Sequence, residues 1–239
     1  MTRRAGTSRR GTDGEDALVA EFVDNWRGLS GDAWIVGGGR GDVRRTIGEA
    51  VTAMVGTAWP EAPRRVIAWA TADLESLDLP ALLAELGCEY VPWPSGHPGA
   101  GGLGDRPRPI GATGGWPDVA HADAAAASLV TEAAASDLGL TTCSWAVAET
   151  GTIALYATPA TGRLPSLLPT AHLALVRPSQ VVKTVADGLR LLADYIAEHD
   201  GPPSAVNLVS GPSRSADIEG DVAVGVHGPR RAGVIVADW

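Results

Sequence analysis

Glu149 stands between two apolar runs in AVAETGTIAL (146–155), the stretch of this chain whose pattern points most directly to chemistry. Both runs have the composition of strands, so the carboxylate is expected at the end of a strand, beside a turn whose Thr150 and Gly151 are predicted to bind a ligand. A carboxylate held among small and apolar neighbours often has a shifted pKa and a role as an acid, a base or a pocket-lining group. A turn carboxylate exposed to water is the alternative, and the sequence leaves both open.

The stretch SGPSRSADIE (210–219) is typical of a turn that leads into a helix. It follows an apolar run, so backbone N–H groups at the helix start would face the carboxyl end of a strand, where α/β proteins bind small anions. Ser213, Arg214 and Asp217 are therefore predicted to contact a ligand, with Arg214 supplying a charge-assisted contact to a carboxylate or phosphate. Capping of the helix by Ser215 is the alternative interpretation, and it is compatible with ligand binding.

Further candidates lie in TGRLPSLLPTAHLAL (161–175) and GVHGPRR. Arg163 and Ser166 occupy a proline-bounded loop before a strand that starts at His172, and His227 adjoins a turn. Arg163, Ser166 and His227 are predicted to bind a ligand, and His172 to act as an acid–base group. A lone histidine at a strand edge is more often a structural hydrogen-bonding residue, which is the alternative for both histidines.

Two glycine-rich stretches invite a nucleotide-binding interpretation. GAGGLG (99–104) matches G-x-G-x-x-G, but Pro107 and Pro109 follow at once and forbid the helix that a dinucleotide site needs. The match lies in a Gly- and Pro-rich segment, 94–118, that is predicted to be a long loop. VGGGRGD (36–42) precedes a helix, but its glycine spacing is wrong, so a tight turn is favoured and nucleotide binding is the alternative.

The spacing of apolar residues predicts alternating helices and strands. Helices are predicted over 14–29, 42–56, 80–87, most of 119–139 and 179–200, and a helical turn over 215–221. Strands are predicted over 64–70, 88–93, 172–176, 205–211 and 233–238, with two short strands within 142–158 around the glutamate turn. This order favours an open parallel sheet with helices on its faces, built by a single α/β domain over 14–239.

The charge distribution limits the classes of partner. The net charge is −9, yet the first ten residues contain four arginines and no acid, so 1–13 is interpreted as a disordered basic tail on an acidic body. Such a body argues against nucleic acid as the main partner, because phosphate contacts need clustered Lys and Arg. No apolar run approaches the roughly 20 residues of a membrane span, and the tail is unlike a secretory signal, so a cytoplasmic protein is expected.

The sequence predicts no metal centre. Cys88 and Cys143 are the only cysteines, which excludes a four-cysteine zinc or iron–sulfur site built by this chain alone. His97, His121 and His199 lack the spacing of metal ligands. Two buried thiols in a reducing compartment are the favoured interpretation of the cysteines.

The motifs AETGT, GRLPSLLP-x-x-H-x-A, SGPSRSADIE and GVHGPR occur in this order along the chain. Taken together they resemble the lactate-utilisation protein C family, whose shared module is the LUD domain, over about residues 129–239. The resemblance implies an α/β fold with a three-layer Rossmann-like sheet, related to the sugar-phosphate isomerase and coenzyme A transferase class. Before residue 129 the chain is similar to the family only in its general plan.

The resemblance also implies a function. Proteins of this family are expected to oxidise L-lactate to pyruvate as part of a three-protein system, in which the other two members are iron–sulfur proteins. This chain would then be the subunit without a metal or cluster, and it would bind a small carboxylate or an acyl or phosphate ligand; the cofactor is left open.

Two other functions stay open. AETG (148–151) is similar at its glutamate and glycine to the Ser-Glu-Asn-Gly motif of class I coenzyme A transferases, so the chain could be a stand-alone transferase-like or isomerase-like enzyme that uses Glu149. A structural assembly factor with an empty pocket is the remaining alternative.

Overall fold

The computed structural model of the chain describes residues 13–56, 64–93, 124–158, 160–199, 201–216, 222–224 and 227–239. The predicted tail up to residue 12, the predicted loop over 94–118 and Asp217 lie outside the described residues. Asp13, the last residue of the predicted tail, is the first residue of a helix.

Seven α-helices, one 3-10 helix (Pro178–Gln180) and twelve strands lie within the described part of the chain. The helices are α1 Asp13–Gly28, α2 Arg40–Val55, α3 Ala72–Glu75, α4 Leu79–Glu85, α5 Ala124–Ala134, α6 Leu164–Leu167 and α7 Val185–Glu198. The strands are β1 Asp32–Val36, β2 Arg64–Trp69, β3 Cys88–Trp93, β4 Leu138–Thr142, β5 Trp145–Val147, β6 Thr152–Ala157, β7 Ala171–Val176, β8 Val181–Val182, β9 Ala205–Val209, β10 Arg214–Ala216, β11 Val222–Val224 and β12 Arg231–Ala237.

Six strands form a central parallel sheet in the order β1-β12-β7-β4-β2-β3. Helices cover both faces of this sheet. Gly139 of β4 lies against the Pro165 backbone of α6, whereas Gly233 of β12 lies against Met54 of α2 on the opposite face. The predicted α/β class with a mostly parallel sheet is confirmed.

A second sheet, in the order β8-β5-β6-β9, was not predicted as a separate layer. Its β5–β6 hairpin consists of the two short strands predicted around Glu149. Alternation of side chains gives the hairpin two buried faces. Trp145 and Tyr156 belong to a cluster with residues of α7, whereas Ala146 and Leu155 belong to the main core.

Three predicted helical segments differ from the structure. The segment 215–221 was predicted as a helical turn, but Arg214–Ala216 pairs with Val222–Val224 as an antiparallel hairpin, so the prediction is wrong for the residues described. The helix predicted from 179 begins only at Val185, because two β-branched valines before it, Val181 and Val182, pair with β5 instead. The segment 119–139 contains α5 but ends in strand β4.

Thr184 fixes the start of α7. Its hydroxyl accepts a hydrogen bond from the Asp187 N–H at 3.2 Å, and the Asp187 carboxylate accepts one from the Thr184 N–H at 3.1 Å. This reciprocal capping box satisfies two backbone donors at the helix start.

Among the described residues no helix is long and apolar enough to cross a membrane.

Candidate functional site

Glu149 lies in the turn between β5 and β6, at the strand end where the sequence places it, but its side chain is exposed. Its Oε1 accepts a hydrogen bond of 2.9 Å from the Val185 N–H, the first residue of α7. Its own N–H donates to the Lys183 carbonyl at 3.1 Å. A carboxylate at a helix start satisfies a free N–H group and complements the helix dipole, so Glu149 links the second sheet to α7.

Removal of this carboxylate is expected to loosen the start of α7. We expect Glu149→Ala to lower the free energy of unfolding by about 1 kcal/mol, because the Val185 N–H loses its acceptor. Glu149→Gln keeps an acceptor oxygen and should lose less than half as much. Urea denaturation of the three proteins measures the difference, and equal losses in the two variants would contradict the capping role.

Hydroxyl groups connect the glutamate turn to the end of β9. Thr150 Oγ1 donates to Thr152 Oγ1 at 2.8 Å, and Thr152 Oγ1 lies 2.7 Å from Ser210 Oγ. Because Ser210 begins the SGPSR loop, the two predicted motifs are brought into direct contact. Thr150 is exposed, next to the exposed Glu149.

The end of α1 holds the two motifs together. The Asn25 side-chain amide donates to the Ala148 carbonyl at 2.8 Å, and Gly151 lies directly against the backbone of Asn25 and Trp26. On the other side, the Arg214 guanidinium donates to the Leu29 carbonyl. We refer to the ETGT turn, the SGPSR loop and the α1 end (Asn25–Leu29) as the junction.

The GVHGPR segment adjoins the junction. The Ser213 N–H donates to the Pro229 carbonyl at 2.9 Å, and Gly228 passes close to the Ser213 side chain. His227 is exposed, as is Arg214. Six of the predicted site residues thus lie in or beside the junction: Glu149, Thr150, Gly151, Ser213, Arg214 and His227.

Arg163 and Ser166 lie elsewhere, at the start of α6. Ser166 is 2% exposed, and its hydroxyl donates to the Arg163 carbonyl at 2.8 Å, which is a local contact of the helix. The Arg163 side chain is exposed. Among the described residues no hydrogen bond or ion pair joins either residue to the junction, so the structure does not bring these two candidates together with Glu149.

His172 lies inside the central sheet, on β7. It is 1% exposed, its Nε2 is 2.9 Å from the Thr141 hydroxyl of β4, and burial lowers its pKa from 6.5 to about 4. The imidazole is therefore neutral at pH 7, and the described structure places it among sheet residues and apart from the junction. Its predicted acid–base role stays a prediction.

A group that sequence reasoning did not single out lies at the carboxyl ends of β7 and β12. Arg177 donates two hydrogen bonds of 2.9 Å to the Asp73 carboxylate, which lower the pKa of Asp73, and its guanidinium lies 4.2 Å from the ring centre of Trp239. The signal available in the sequence was an arginine directly after the predicted strand 172–176. Strand carboxyl ends are the usual ligand edge of an α/β sheet, and here an ion pair occupies it.

Cys143 is the buried thiol of this edge. It directly follows β4, its Sγ lies 3.6 Å from Gln180 Oε1, and burial raises its pKa to about 12. A thiol with so high a pKa is protonated at pH 7 and is a poor nucleophile.

No group of three or more His, Cys, Asp or Glu residues in the described part of the chain is arranged to hold a metal ion.

A crystal structure of a DUF162 family protein from Deinococcus radiodurans superposes with a TM-score of 0.56 at 24% identity, covering 94% of this chain and 98% of the other. At this identity the likeness shows the fold alone. The family model of the LUD domain matches residues 103–237, more than half of the chain. The chain belongs to the LUD domain family.

Proteins named lactate utilization protein C are among the similar sequences. The protein of Bacillus licheniformis is 42% identical over 103 residues, or 43% of either chain, and that of Bacillus subtilis is 38% identical over 107 residues, or 45% of either chain. The chain thus matches less than half of the length of these curated relatives. The LUD match includes both junction motifs but not α1, so a helix from outside the matched region completes the junction.

Proposed function

We propose that this chain acts in the cytoplasm in lactate utilisation, as the subunit without a cluster in a system that oxidises L-lactate to pyruvate with iron–sulfur partner proteins. The observation that carries the proposal is the LUD family match, together with identities of 38–42% to proteins named lactate utilization protein C. The match covers less than half of the length of those relatives, so the activity and the partners are part of the proposal.

The junction is the surface proposed to serve this function. The side chains of Glu149, Arg214 and His227 are exposed, and both charge signs are present within the two linked motifs. An exposed surface with a guanidinium, an imidazole and hydroxyl groups fits contact with a small carboxylate or with a protein partner.

Reconstitution tests the proposal directly. We expect L-lactate-dependent reduction of an electron-accepting dye when this chain is combined with its two iron–sulfur partners. Because the proposal makes this chain a required subunit, its omission should lower the rate by at least about tenfold. The dye is followed by absorbance. Full activity without this chain would end the proposal.

A pair of arginine variants separates the junction from the rest of the surface. Arg214→Ala should reduce the reconstituted rate, because Arg214 joins the SGPSR loop to Leu29 and supplies the cation of that loop. Arg190→Ala removes an exposed arginine of α7 that pairs with Asp187 and should leave the rate unchanged. Equal effects of the two variants would place the functional surface elsewhere.

A second candidate function rests on the same glutamate. One oxygen of the exposed Glu149 carboxylate is held by a helix-start N–H, and its position leaves it open to an approaching acyl group. In a coenzyme A transferase reaction the carboxylate would attack the thioester carbonyl and release the thiolate, which then attacks the resulting anhydride to give a glutamyl thioester and the free acid. Incubation with acetyl-coenzyme A and borohydride, followed by mass spectrometry, decides it: an unmodified Glu149 peptide excludes this chemistry.

A further inference from the structure

The central sheet has an open edge at β1. Among the described residues β1 pairs with β12 on one side, and no strand lies on its other side. A groove of about 570 Å³ runs along that open side. Residues 33–38, which belong to β1 and the turn after it, line the groove together with residues of α1 and α2. Most of the unpaired edge is therefore accessible from the groove.

Two residues of β1 direct their backbone groups toward this groove. The Ala33 carbonyl accepts a hydrogen bond of 2.8 Å from the exposed Arg27 of α1, which lies outside the ladder with β12. In a strand the N–H and C=O groups of one residue point to the same side, and the side alternates from one residue to the next. The N–H and C=O groups of Ile35 therefore point outward as well, and they are free to pair with a further strand.

The edge lacks the usual protection against such pairing. Edge strands are commonly protected by lysine, by proline or by a covering element. β1 has the sequence DAWIV, without lysine or proline, and Ile35 is 56% exposed. An open groove beside an exposed, partly apolar edge strand fits the addition of an extended peptide, which binds through main-chain hydrogen bonds.

The charges of the groove favour an acidic peptide. On the α2 side, Arg45 pairs with Asp42 at 3.0 Å and with Glu49 at 3.2 Å, so its charge is already compensated. On the α1 side, Arg27 forms no ion pair among the described residues, and its guanidinium is fixed beside β1 by the bond to Ala33. A carboxylate on the incoming strand would supply the partner that Arg27 lacks.

We propose that this groove binds an extended acidic segment of a partner protein as a further strand of the central sheet. An apolar side chain of that segment lies opposite Ile35, and a carboxylate pairs with Arg27. Because Arg27 belongs to the α1 end, the groove adjoins the junction. The proposal does not rest on lactate oxidation, since peptide binding is measured on this chain alone.

The peptide acetyl-Thr-Glu-Thr-Val-Thr-Glu-Thr-amide tests the groove. Its sequence reads the same in both directions, so valine can lie opposite Ile35 and a glutamate opposite Ala33 in either strand orientation. We expect a Kd on the order of 1 mM, read in ¹H–¹⁵N NMR spectra from the Ile35 amide and the Trp34 indole N–H, which Ile35→Val and Trp34→Phe assign. The glutamine counterpart of the peptide should bind several-fold more weakly. Equal binding of the two peptides, or no shift of either signal, would overturn the proposal.

Two N-methylated forms of this peptide distinguish strand pairing from general adhesion. One form carries N-methyl groups on valine and both glutamates, and the other carries them on the two central threonines. A paired strand uses the N–H groups of only one of its edges, so one form should lose at least about tenfold in affinity while the other keeps most of it. Equal affinities of the two forms would exclude strand addition.

Matched variants of the protein locate the site. Ile35→Pro removes the outward N–H at a position where an edge strand tolerates proline, and it should weaken binding at least about tenfold, as read from the Trp34 signal. Arg27→Gln should weaken binding several-fold, whereas Arg190→Gln, which removes an exposed arginine of α7, should leave the Kd unchanged. The same loss in both arginine variants would overturn the site. Circular dichroism confirms that each variant is folded.

A second copy of this chain is the other occupant that an open strand edge could accept. Sedimentation velocity distinguishes the two occupants: the parent chain and Ile35→Pro should have the same sedimentation coefficient. A dimer of the parent that Ile35→Pro converts to a monomer would overturn the proposal, because β1 would then pair with β1 of a second copy.

Discussion

Acidification from pH 7 to pH 5 is expected to lower the free energy of unfolding by about 2 kcal/mol through one side chain, the buried imidazole of His172, and by about 3 kcal/mol at pH 4. The pKa of this group is about 4 in the folded protein, against an ordinary value of 6.5. Between these two values the unfolded chain binds a proton that the folded chain does not. Stability is therefore fully present above pH 6.5 and falls as the pH drops toward 4.

The variant His172→Gln separates this effect from the titration of carboxylates. It should be less stable than the parent at pH 7, because the Thr141 contact and the packing inside the sheet change. Its stability should nevertheless stay nearly constant between pH 7 and pH 5, where most carboxylates remain ionised. Guanidinium chloride denaturation at pH 7, 6 and 5 gives the comparison. If the free energy of unfolding changes with pH in the same way in both proteins, His172 is not the source of the pH dependence.

A direct measurement on the parent protein covers the case in which His172→Gln fails to fold. The imidazole ring protons of one histidine should show no chemical-shift change in NMR spectra until the pH falls below about 5, because His172 is 1% exposed and its charged form has no described counter-ion. A set of histidines that all titrate near 6.5 would contradict the burial argument.

Local patterns in the sequence were sufficient to predict most of the helices and strands. The strand predicted over 172–176 is β7, which is buried throughout, and the strand predicted over 88–93 is β3, in which exposed positions lie among buried ones. The two short strands around Glu149 were also correct. In each case the composition of the segment and its flanking turns was sufficient to indicate a strand, although β7 and β3 pair with strands that are distant in sequence.

Non-local pairing explains the elements that sequence reasoning missed. β1 is five residues long, DAWIV, and exists as a strand because it pairs with β12 near the other end of the chain. The hairpin at Arg214–Ala216 depends on Val222–Val224, whereas the local sequence SADIE favours a helix. Propensity is a weak prior when distant pairing competes with it.

The distinction between local sequence patterns and non-local contacts also applies to the candidate site. Glu149 and Arg214 were each singled out from their own motif, and the structure joins the two motifs through the Thr152–Ser210 contact. Nothing in the local sequence indicated that Asn25, 123 positions before Ala148, would complete this region. Nor could the pattern show that His172 would lie on a strand between two neighbours and be only 1% exposed.

The second large effect is expected from Gly151→Ala, which should lower the free energy of unfolding by about 3 kcal/mol. Gly151 has a φ of +57°, a conformation that strains any residue with a Cβ. In addition, a Cβ at this position would lie 2.5 Å from the Trp26 backbone nitrogen and 2.7 Å from the Asn25 carbonyl carbon. These backbone atoms cannot rotate away, so α1 must move from the junction.

Gly87→Ala is the matched control, because Gly87 has a similar φ of +68° but nothing within 4 Å of the added Cβ. It should cost about 1 kcal/mol, the strain of the left-handed conformation alone. The difference between the two variants, measured by urea denaturation, isolates the contact between the glutamate turn and α1. Faster amide hydrogen exchange in α1 of Gly151→Ala, with unchanged exchange in Gly87→Ala, would locate the displacement. Equal losses in the two variants would mean that α1 does not hold the junction together, and that the LUD motifs keep their arrangement without a helix from outside the matched region.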